Sequence, residues 1–336
     1  MSELKSKIHI IAEAGTNNNG KIQKAKNLAK IAFDAGADSV KFQIINTWGL
    51  YLPGNYEYGK YKIEDVIKIR QEGEMTDEEY FDLFNYCQEI GIPLSSSIFD
   101  EKGLDLLLKF NPPYIKLASC DINNVKLLNT VAEKGVKVVV STGMADIEEI
   151  EIGVNSLSKL KSEDIVILHC VSNYPAYLEQ SNLRYLEVLK NRFQTSIGFS
   201  DHTGNSIAAC MAMTLGATWF EKHFTEDKNQ IGLDHIYAME PEQLKQYVQD
   251  LRNAEIALKL KEIKIGEAEK LTKQRAKRSL YAARTLKAGE IISEQDVLCV
   301  RPENIMPAHH YFDIIGKKLI VDIDQYGPFS PNYFEQ

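Results

Sequence analysis

Short segments rich in β-branched and apolar residues alternate with longer amphipathic segments from residue 8 to about residue 225. The longer segments, such as KIQKAKNLAKIAFDAGA, place apolar residues at i, i+3 and i+4 and end near a glycine, which is typical of amphipathic helices. The eight strand-like segments lie at 8–15, 37–43, 93–99, 114–119, 137–143, 164–171, 196–202 and 217–224. Eight strand–helix repeats of this kind predict a (β/α)8 TIM barrel of the α/β class.

An open, doubly wound sheet is the main alternative to a barrel. Sheets of that kind that bind dinucleotides carry a GxGxxG turn after the first strand, and no such turn follows residue 15. We therefore favour the barrel. A longer insert at about 44–75, which contains Trp48 and Tyr51, would lie over the mouth of the barrel, where loops determine specificity.

Three parts are predicted along the chain. Residues 1–260 form the barrel domain, which ends with the amphipathic segment PEQLKQYVQDLRNAEIALKL. The charged stretch 261–277 is interpreted as a linker, and residues 278–336 form a small β-rich unit with Gly and Pro turns. Because a unit of about 60 residues has little core of its own, we expect it to pack on a barrel.

Composition narrows the classes of partner. The 336-residue chain has a net charge of −8, so neither nucleic acid nor an anionic membrane is an expected partner. The sequence contains no apolar run long enough for a membrane span and no secretory signal, so we expect a cytoplasmic protein. Its five cysteines show no CxxC spacing, which suits a reducing compartment and argues against a zinc cluster.

Polar residues stand at the ends of the predicted strands, where TIM barrels build their active sites. Lys41 and Lys116 fall inside apolar segments, although lysine is rarely buried without a partner. Either lysine alone could reach a buried carboxylate or solvent at the rim, but this does not explain the whole ring. Two lysines and several hydroxyls around one cleft suit a phosphate or a carboxylate. The other polar ends are Glu13, Gln43, Ser96, Ser97, Ser119, Ser141, Thr142, Ser172, Asp201, His202, Lys222 and His223.

His202 and His223 are one repeat apart, so they end adjacent strands and can reach one divalent ion. Two histidines with open positions indicate a catalytic metal, although a histidine pair alone is also compatible with two ordinary buried histidines. Mn²⁺, with Co²⁺ or Mg²⁺ as alternatives, suits a site completed by water and substrate oxygens. Glu13, at the end of the first strand, is the best acid–base candidate by position, and a structural partner for a lysine is its alternative role.

Taken together, these strand ends resemble the sialic acid (N-acetylneuraminate) synthase family, including its legionaminate, pseudaminate and spore-coat-like members. The motifs that carry the resemblance are IIAEAGTNNNG, GADSVKFQ, IKLAS, STGM, LHCVSNYPA, GFSDHT, EKHFT and LDHIYAMEP. The tail, from RSLYAARTLKAGE through VRPENIMP to IGKKL, is similar to the antifreeze-like SAF domain that ends those proteins. The resemblance implies a domain-swapped homodimer in which each tail covers the active site of the partner.

The resemblance also implies a reaction. A transferase of this family condenses phosphoenolpyruvate with an N-acetylmannosamine-like sugar to give a sialic-acid-type nonulosonic acid and phosphate. His202 and His223 would hold the metal that polarises the sugar aldehyde, and Glu13 would be the catalytic carboxylate. The residues implied to hold phosphoenolpyruvate are Lys41, Ser97, Lys116, Ser119 and Ser141. Those implied to contact the N-acetylated amino sugar are Gln43, Asp121, Ser172, Tyr174, Asp234 and the partner's Arg301.

The chain departs from the family pattern at four places. Asn18 replaces the histidine of Asn-His-x-Gly, and Ser96–Phe99 replaces Ser-Thr-Pro-Phe. Cys120–Asp121 replaces Gly-Glu, and Leu233 replaces the proline of Gly-Pro-Asp. Most of these positions are ones at which the family contacts the acceptor sugar, so the identity of that sugar stays open. The IIAEAG opening and the pair Asp234–His235 are nearer to legionaminate-like or spore-coat-like members than to pseudaminate synthases.

Two other functions remain as alternatives. A Schiff-base aldolase on the same barrel would use Lys116 or Lys41 as its nucleophile. It would make no use of the paired histidines, and it predicts trapping by borohydride and insensitivity to EDTA. A non-catalytic protein that binds carbohydrate through its tail domain would leave the polar barrel mouth unexplained and would tolerate the loss of Glu13.

Overall fold

The structure is a computed structural model that describes residues 8–54, 56–58, 61–259 and 264–335. The chain divides after Lys259 into two compact units, Met1–Lys259 and Leu260–Gln336. Within the predicted linker, residues 261–263 lie outside the described residues. Glu267–Ala276 forms a helix that belongs to the second unit.

The strands are numbered in chain order. They are β1 His9–Gly15, β2 Ser39–Ile44, β3 Glu57–Tyr58, β4 Tyr61–Lys62, β5 Leu94–Ile98, β6 Ile115–Leu117, β7 Val138–Ser141, β8 Ile165–Cys170, β9 Ser196–Asp201, β10 Trp219–His223, β11 Ser279–Ala282 and β12 Val297–Val300. Eight of them are parallel and close into a barrel in the order β1-β10-β9-β8-β7-β6-β5-β2. Each predicted strand segment overlaps one of these eight, so the TIM-barrel prediction is confirmed and the open-sheet alternative is wrong.

The α-helices of the described residues are also numbered in chain order; those up to Leu258 belong to the barrel unit, and the last two belong to the second unit. They are α1 Ile22–Ala35, α2 Thr47–Leu50, α3 Ile63–Glu72, α4 Asp77–Ile90, α5 Glu101–Leu108, α6 Val125–Ala132, α7 Ile147–Ser156, α8 Tyr185–Phe193, α9 Ile207–Thr214, α10 Pro241–Leu258, α11 Glu267–Ala276 and α12 Tyr311–Ile314. The insert between β2 and β5 contains the β3–β4 hairpin together with α2, α3 and α4. Within the described chain, no helix is both long enough and apolar enough to cross a bilayer.

Local sequence signals account for where the helices begin and end. In α1, alanines and Leu28 recur at helical spacing and are buried against the barrel. Gly36 and Gly91 end α1 and α4 in the left-handed region, at φ values of 80° and 82°, which residues with a Cβ rarely adopt. At the start of α4, the Thr76 hydroxyl accepts from the backbone N–H of Glu79, whose carboxylate accepts from the backbone N–H of Thr76.

Side-chain alternation along the barrel strands separates two layers of core. Residues facing outwards, such as Ile10 and Phe220, pack against the helices. Residues facing inwards at the amino-terminal half of the barrel form an apolar plug, which consists of Ile11, Tyr114, Val139, Val166 and Leu168. Two residues after Ile11 on β1, the next inward side chain is Glu13. The barrel interior therefore changes from apolar to polar between two successive inward residues.

The second unit has a core of its own, built around a small antiparallel sheet. Ser279 of β11 pairs with Val300 of β12, and the two strands run antiparallel. The buried core residues of this unit are Leu280, Ala282, Leu286, Ile292, Val297, Met306, Ile314, Leu319, Ile323, Phe329 and Phe334. The expectation of a small β-rich unit at the end of the chain is confirmed.

Gly198 of β9 provides a test of the barrel packing. A Cβ at this position would overlap the carbonyl oxygen of Trp219 and Cδ2 of Leu168 on the neighbouring strands. We expect Gly198→Ala to lower the free energy of unfolding by about 1–3 kcal/mol, as overpacking typically does. Gly204→Ala is the matched control, because a Cβ there would meet no atom within 4 Å. Thermal unfolding followed by circular dichroism measures both, and equal stability of the two variants would contradict the packing described here.

Candidate active site

The carboxyl ends of the barrel strands surround one open cavity of about 630 Å³. The predicted site residues that line it are Glu13, Lys41, Gln43, Ser97, Lys116, Ser119, Ser141, Ser172, Tyr174, His202, His223 and Asp234. Strand geometry explains this convergence, because residues two apart on a strand, such as Lys41 and Gln43, point to the same side. The strand register also brings these side chains together, since Glu13 is paired with Lys41 on one neighbouring strand and with His223 on the other.

Lys41 is the centre of a buried ionic cluster, with only 2% of its side chain exposed. Its Nζ lies 2.6 Å from Glu13 Oε2, 2.8 Å from Ser97 Oγ and 3.5 Å from Glu221 Oε2. Burial disfavours the charged amine, but Glu13 and Glu221 raise the pKa of Lys41 above its usual range. The lysine is therefore a fixed cation at the base of the cavity.

Lys116 provides a second buried amine, next to the first. Its Nζ donates to Ser141 Oγ at 2.7 Å and to the carbonyl oxygen of Leu117 at 2.8 Å. Burial lowers the pKa of Lys116 below its usual range. Both lysines thus reach serine hydroxyls in the cavity wall, and an oxyanion placed between them would find amine and hydroxyl donors together.

Two buried carboxylates balance the lysines, and they differ in their protonation. Burial raises the pKa of Glu13 to about 7, with Glu221 adding to the effect and Lys41 opposing it. Burial also opposes ionisation of Glu221, but Lys116 and Lys41 lower its pKa to about 2. Ser200 Oγ donates to Glu221 Oε1 at 2.9 Å and supports its charge. Glu221 is the permanent anion of the cluster, whereas Glu13 can exchange a proton near neutral pH.

His202 and His223 are neighbours in the cavity wall, with their ring centroids 5.5 Å apart. His202 Nδ1 lies 2.7 Å from the carbonyl oxygen of Val171 and donates to it, which leaves the lone pair on Nε2. Burial lowers the pKa of His202 to about 4, with His223 adding to the shift, and burial also lowers the pKa of His223. Both imidazoles are therefore neutral at pH 7.

These two imidazoles fit a divalent metal ion. Nδ1 of His223 is buried and has no hydrogen-bond partner among the described residues. A carbonyl oxygen orients the ring of His202, as is usual for metal-binding histidines. Across the described ranges, no group of three or more His, Cys, Asp or Glu side chains is placed to hold an ion. Water and substrate oxygens would complete such a site, which is the arrangement of a catalytic metal.

Amide, phenol and carboxylate groups line the cavity beside the histidines. Gln43 Nε2 donates to Glu13 Oε1 at 3.1 Å, and the Tyr237 hydroxyl donates to Asp234 Oδ1 at 2.5 Å. The rings of Tyr174 and Tyr237 lie 4.8 Å apart. This mixture of hydrogen-bonding groups and aromatic faces is suited to a polar, hydroxyl-rich molecule.

Two predicted sugar-binding residues do not line this cavity. Asp121 is buried in the turn after β6, where its Oδ1 accepts from Asn124 Nδ2 at 3.3 Å. Arg301 follows β12 in the second unit and is exposed. The departure at Asn18 also lies outside the cavity, since its side-chain amide contacts Met75 Sδ at 3.0 Å.

The cavity-lining residues that sequence reasoning missed include Glu221, Tyr237 and Arg70. Glu221 had a usable signal, because it precedes His223 by two positions on the same strand and must face the same side. Arg70 had none, since α3 belongs to the insert and its placement depends on how the insert folds.

Strand alternation also corrects the interpretation of two polar strand ends. Asp201 and Lys222 point away from the cavity, and Lys222 Nζ lies 3.4 Å from Asp201 Oδ2. Lys222 Nζ also donates to the carbonyl oxygen of Thr203 and lies 5.3 Å from the ring centroid of Tyr247. This pair holds the loop after His202 against α10 and so supports the site from behind.

The fold and the site together define a TIM-barrel protein that has buried lysines and paired histidines at the carboxyl ends of its barrel strands. A small β-rich domain follows the barrel. Residues 28–263 match the NeuB family, and residues 277–324 match the SAF domain. The chain belongs to the NeuB family. The resemblance seen in the strand-end motifs is therefore confirmed.

The similarity to known proteins covers almost the whole chain. The N,N'-diacetyllegionaminic acid synthase of Legionella pneumophila is 34% identical over 324 residues, which cover 94% of this chain and 91% of the relative. The N-acetylneuraminate-9-phosphate synthase of Drosophila melanogaster is 30% identical, with 98% and 96% covered. The crystal structure of the spore coat polysaccharide biosynthesis protein SpsE of Bacillus subtilis superimposes with a TM-score of 0.68 at 30% identity, with 99% and 97% covered.

Metal binding by the paired histidines can be measured directly. We expect the protein to bind Mn²⁺ in isothermal titration calorimetry, because two neutral imidazoles face one cavity. His202→Ala or His223→Ala should weaken binding by more than the roughly 10–100-fold caused by changes around a metal ligand. His310→Ala is the control, since His310 is exposed and lies in the second unit. Mn²⁺ affinity that survives both cavity substitutions would exclude the pair as ligands.

Proposed function

We propose that the protein condenses phosphoenolpyruvate with an N-acetylmannosamine-like sugar to form a sialic-acid-type nonulosonic acid and phosphate. The observation that carries the proposal is the pairing of two buried lysines, each bonded to a serine, with two neutral imidazoles in one cavity. The lysines suit an anionic substrate, and the imidazoles suit a metal that activates a carbonyl group. The names of the relatives in Legionella and Drosophila, both synthases of nonulosonic acids or their phosphates, support the same reaction.

Phosphoenolpyruvate would lie over the lysine and serine donors at the base of the cavity. Lys41 and Lys116 provide the charge, while Ser97 and Ser141 already orient the amines. Ser119 Oγ accepts from the backbone N–H of Gly143 at 3.0 Å and lies 3.1 Å from Cys170 Sγ. If the thiol donates to this oxygen, the hydroxyl proton of Ser119 is available to the substrate. Charge-assisted hydrogen bonds of this kind are stronger than those between neutral groups.

The acceptor sugar would lie between the histidines and the remaining polar side chains. Gln43, Ser172, Tyr174 and Asp234 line that part of the cavity. His202 and His223 would hold a divalent ion, Mn²⁺ before Co²⁺ or Mg²⁺, which when bound supplies polarisation of the aldehyde. A contact of Asp121 with the sugar stays a prediction from the family pattern.

Glu13 is the group that would manage protons. In the reaction, C3 of phosphoenolpyruvate bonds to the aldehyde carbon, water adds to C2, and cleavage of the C2–O bond releases phosphate. The aldehyde oxygen gains one proton, and the water loses one. Glu13 Oε2 lies beside Lys41 Nζ, and Gln43 holds the other oxygen, so the carboxylate is positioned to take the proton from water and return it.

A Schiff-base aldolase is the second candidate, and one observation favours it. Lys116 is buried, and burial lowers its pKa below its usual range, as nucleophilic lysines require. The two reactions differ in a simple test. A Schiff base is trapped by borohydride and survives EDTA, whereas the proposed condensation is lost with EDTA and leaves no trapped adduct.

Phosphate release is the first experiment for the proposed condensation. We expect release from phosphoenolpyruvate to require both Mn²⁺ and an acceptor sugar, and to stop when EDTA is added. The acceptors are N-acetylmannosamine, 2,4-diacetamido-2,4,6-trideoxymannose and 2,4-diacetamido-2,4,6-trideoxyaltrose. Absence of release with all three acceptors, from folded protein, would rule out the proposed reaction with these sugars.

Lys116→Ala tests the anion site in the same assay. Loss of a charged hydrogen bond, about 1.5–3 kcal/mol, should raise the apparent KM for phosphoenolpyruvate roughly 10–150-fold or abolish turnover. Lys126→Ala is the control, because the Lys126 side chain is 84% exposed and pairs with Glu101 on the surface. An unchanged KM in a folded Lys116 variant would argue against a role in binding phosphoenolpyruvate.

We also propose that the protein acts as a domain-swapped homodimer in which the partner's Arg301 contacts the N-acetyl group of the sugar. The family resemblance supports this arrangement, and so does the surface of the second unit. Arg301 is exposed there, next to the exposed apolar side chains of Val300 and Ile305. Exposed apolar groups beside a charged residue are typical of a protein–protein contact.

Mixed dimers provide the test of the swap. We expect Glu13→Gln and Arg301→Ala each to be nearly inactive alone. If the two chains are co-expressed, half of the dimers are mixed and each mixed dimer has one intact site, so activity should return to about a quarter of the wild-type value. A co-expressed sample no more active than the single variants would contradict the exchange, since an unswapped dimer leaves every site damaged.

A further inference from the structure

A second cavity of about 200 Å³ adjoins the candidate active site. Its walls come from the turn after β1, from α3 of the insert and from residues 231–233. It shares Gln43, Arg70 and Leu233 with the larger cavity, so these side chains lie between the two spaces. Leu233 is also one of the positions at which the chain departs from the family pattern. We call this space the side cavity.

Arg70 is the chemically informative residue of the side cavity. Its Nη1 donates to Thr16 Oγ1 at 3.2 Å, which fixes the guanidinium group. Its Nε is buried and has no hydrogen-bond partner within the described part of the chain. A buried N–H without an acceptor is unfavourable, and an arginine held in this way is pre-organised to donate to a ligand.

The same arginine is linked to the sugar-binding part of the larger cavity. The Thr16 hydroxyl donates to Asp234 Oδ2 at 3.4 Å, and Tyr237 donates to the other oxygen of Asp234. The ring of Tyr237 lies 5.3 Å from that of His223. The chain of contacts from Arg70 to His223 thus runs through Thr16, Asp234 and Tyr237. An acceptor whose aldehyde lies at the imidazoles would therefore present a more distant group to Arg70.

The lining of the side cavity selects the chemistry of what it can hold. Ile45, Ile69 and Leu233 provide apolar surface, and Glu72 and Glu74 provide carboxylates. Carboxylates in the wall disfavour a phosphate, because like charges repel in a partly desolvated site. A planar amide with a methyl group is suited to all of these features. Its carbonyl oxygen can accept from Arg70, its N–H can donate to a carboxylate, and its methyl group can pack on the apolar wall.

We infer that the side cavity binds a second acetamido group of the acceptor, so that the substrate is a 2,4-diacetamido sugar and Arg70 determines this preference. The inference rests on the proposed condensation and specifies its acceptor. It assigns Arg70 as a specificity-determining residue, with no part in the bond-making steps. A sugar with a hydroxyl at C4 would leave the Arg70 Nε–H unsatisfied and the side cavity empty, whereas the acetamido group fills both.

Substrate comparison with the wild-type protein tests this inference without altering the fold. The two acceptors are 2,4-diacetamido-2,4,6-trideoxymannose and 2-acetamido-2,6-dideoxymannose, which differ only at C4. We expect kcat/KM for the diacetamido sugar to exceed that for the other by at least about 10-fold, because a site built to donate a hydrogen bond rejects a ligand that lacks the acceptor. Equal values, or a preference for the C4 hydroxyl, would overturn the inference while leaving the condensation established.

Variants of Arg70 then connect that preference to the side chain. Arg70→Met removes the donor, and Arg70→Lys keeps the charge without an N–H at the Nε position. We expect both to lower the ratio of kcat/KM between the two acceptors by about 10-fold. Lys68→Met, on the same helix with a side chain 76% exposed, should leave the ratio and the turnover unchanged. A ratio unaffected by both Arg70 variants, with circular dichroism confirming their fold, would exclude Arg70 as the determinant.

Two further results are decisive. N-acetylmannosamine 6-phosphate serves as a probe for the opposite charge preference, and higher kcat/KM for this phosphate than for the diacetamido sugar would overturn the inference. No turnover with any acceptor would instead overturn the proposed condensation, and with it the inference. Failure of the side-cavity inference alone therefore has a different signature, which is turnover without preference at C4.

Discussion

Burial of two lysine amines inside a barrel determines the rest of this site. Lys41 and Lys116 each have about 2% of their surface exposed, and they lie directly above an apolar plug. An isolated charge in such a place is costly, and removal of one partner of a buried pair typically destabilises a protein by about 3–5 kcal/mol. The lysines are tolerated because Glu13 and Glu221 lie among them and because serine hydroxyls complete their hydrogen bonds.

The electrostatic balance also explains why the two carboxylates behave differently. Glu221 has both lysines within its field and stays ionised, whereas Glu13 is dominated by its own burial and has a pKa of about 7. An anionic substrate would enter a cluster whose net charge can change by one proton at Glu13. The cluster is thus able to adjust its charge to an anionic ligand by a change in the protonation of Glu13.

Periodicity in the sequence predicted the barrel and most of the cavity, because both depend on regular strands. Inward-facing residues such as Lys41 and His223 occupy every second position of a strand, close to its carboxyl end. What could not be predicted depends on irregular backbone or on distant packing. Arg70 reaches the cavity only because the insert folds as it does. Asp201 and Lys222 point outwards because side chains alternate along a strand, and the presence of polar residues at a strand end does not reveal which of them face inwards.

In the proposed reaction, chemistry and specificity would come from different parts of the fold. The lysines, the imidazoles and Glu13 lie on strands, whose positions are held by the hydrogen-bonded barrel and whose geometry leaves little freedom. Arg70 and Leu233 lie on the insert and on the loop after β10, which can change without disturbing the strand ends. The departures from the family pattern fall partly on such loop positions, as at Leu233. A change there alters the shape of the side cavity while the ionic cluster beneath it keeps the same contacts, so one reaction can serve several acceptor sugars.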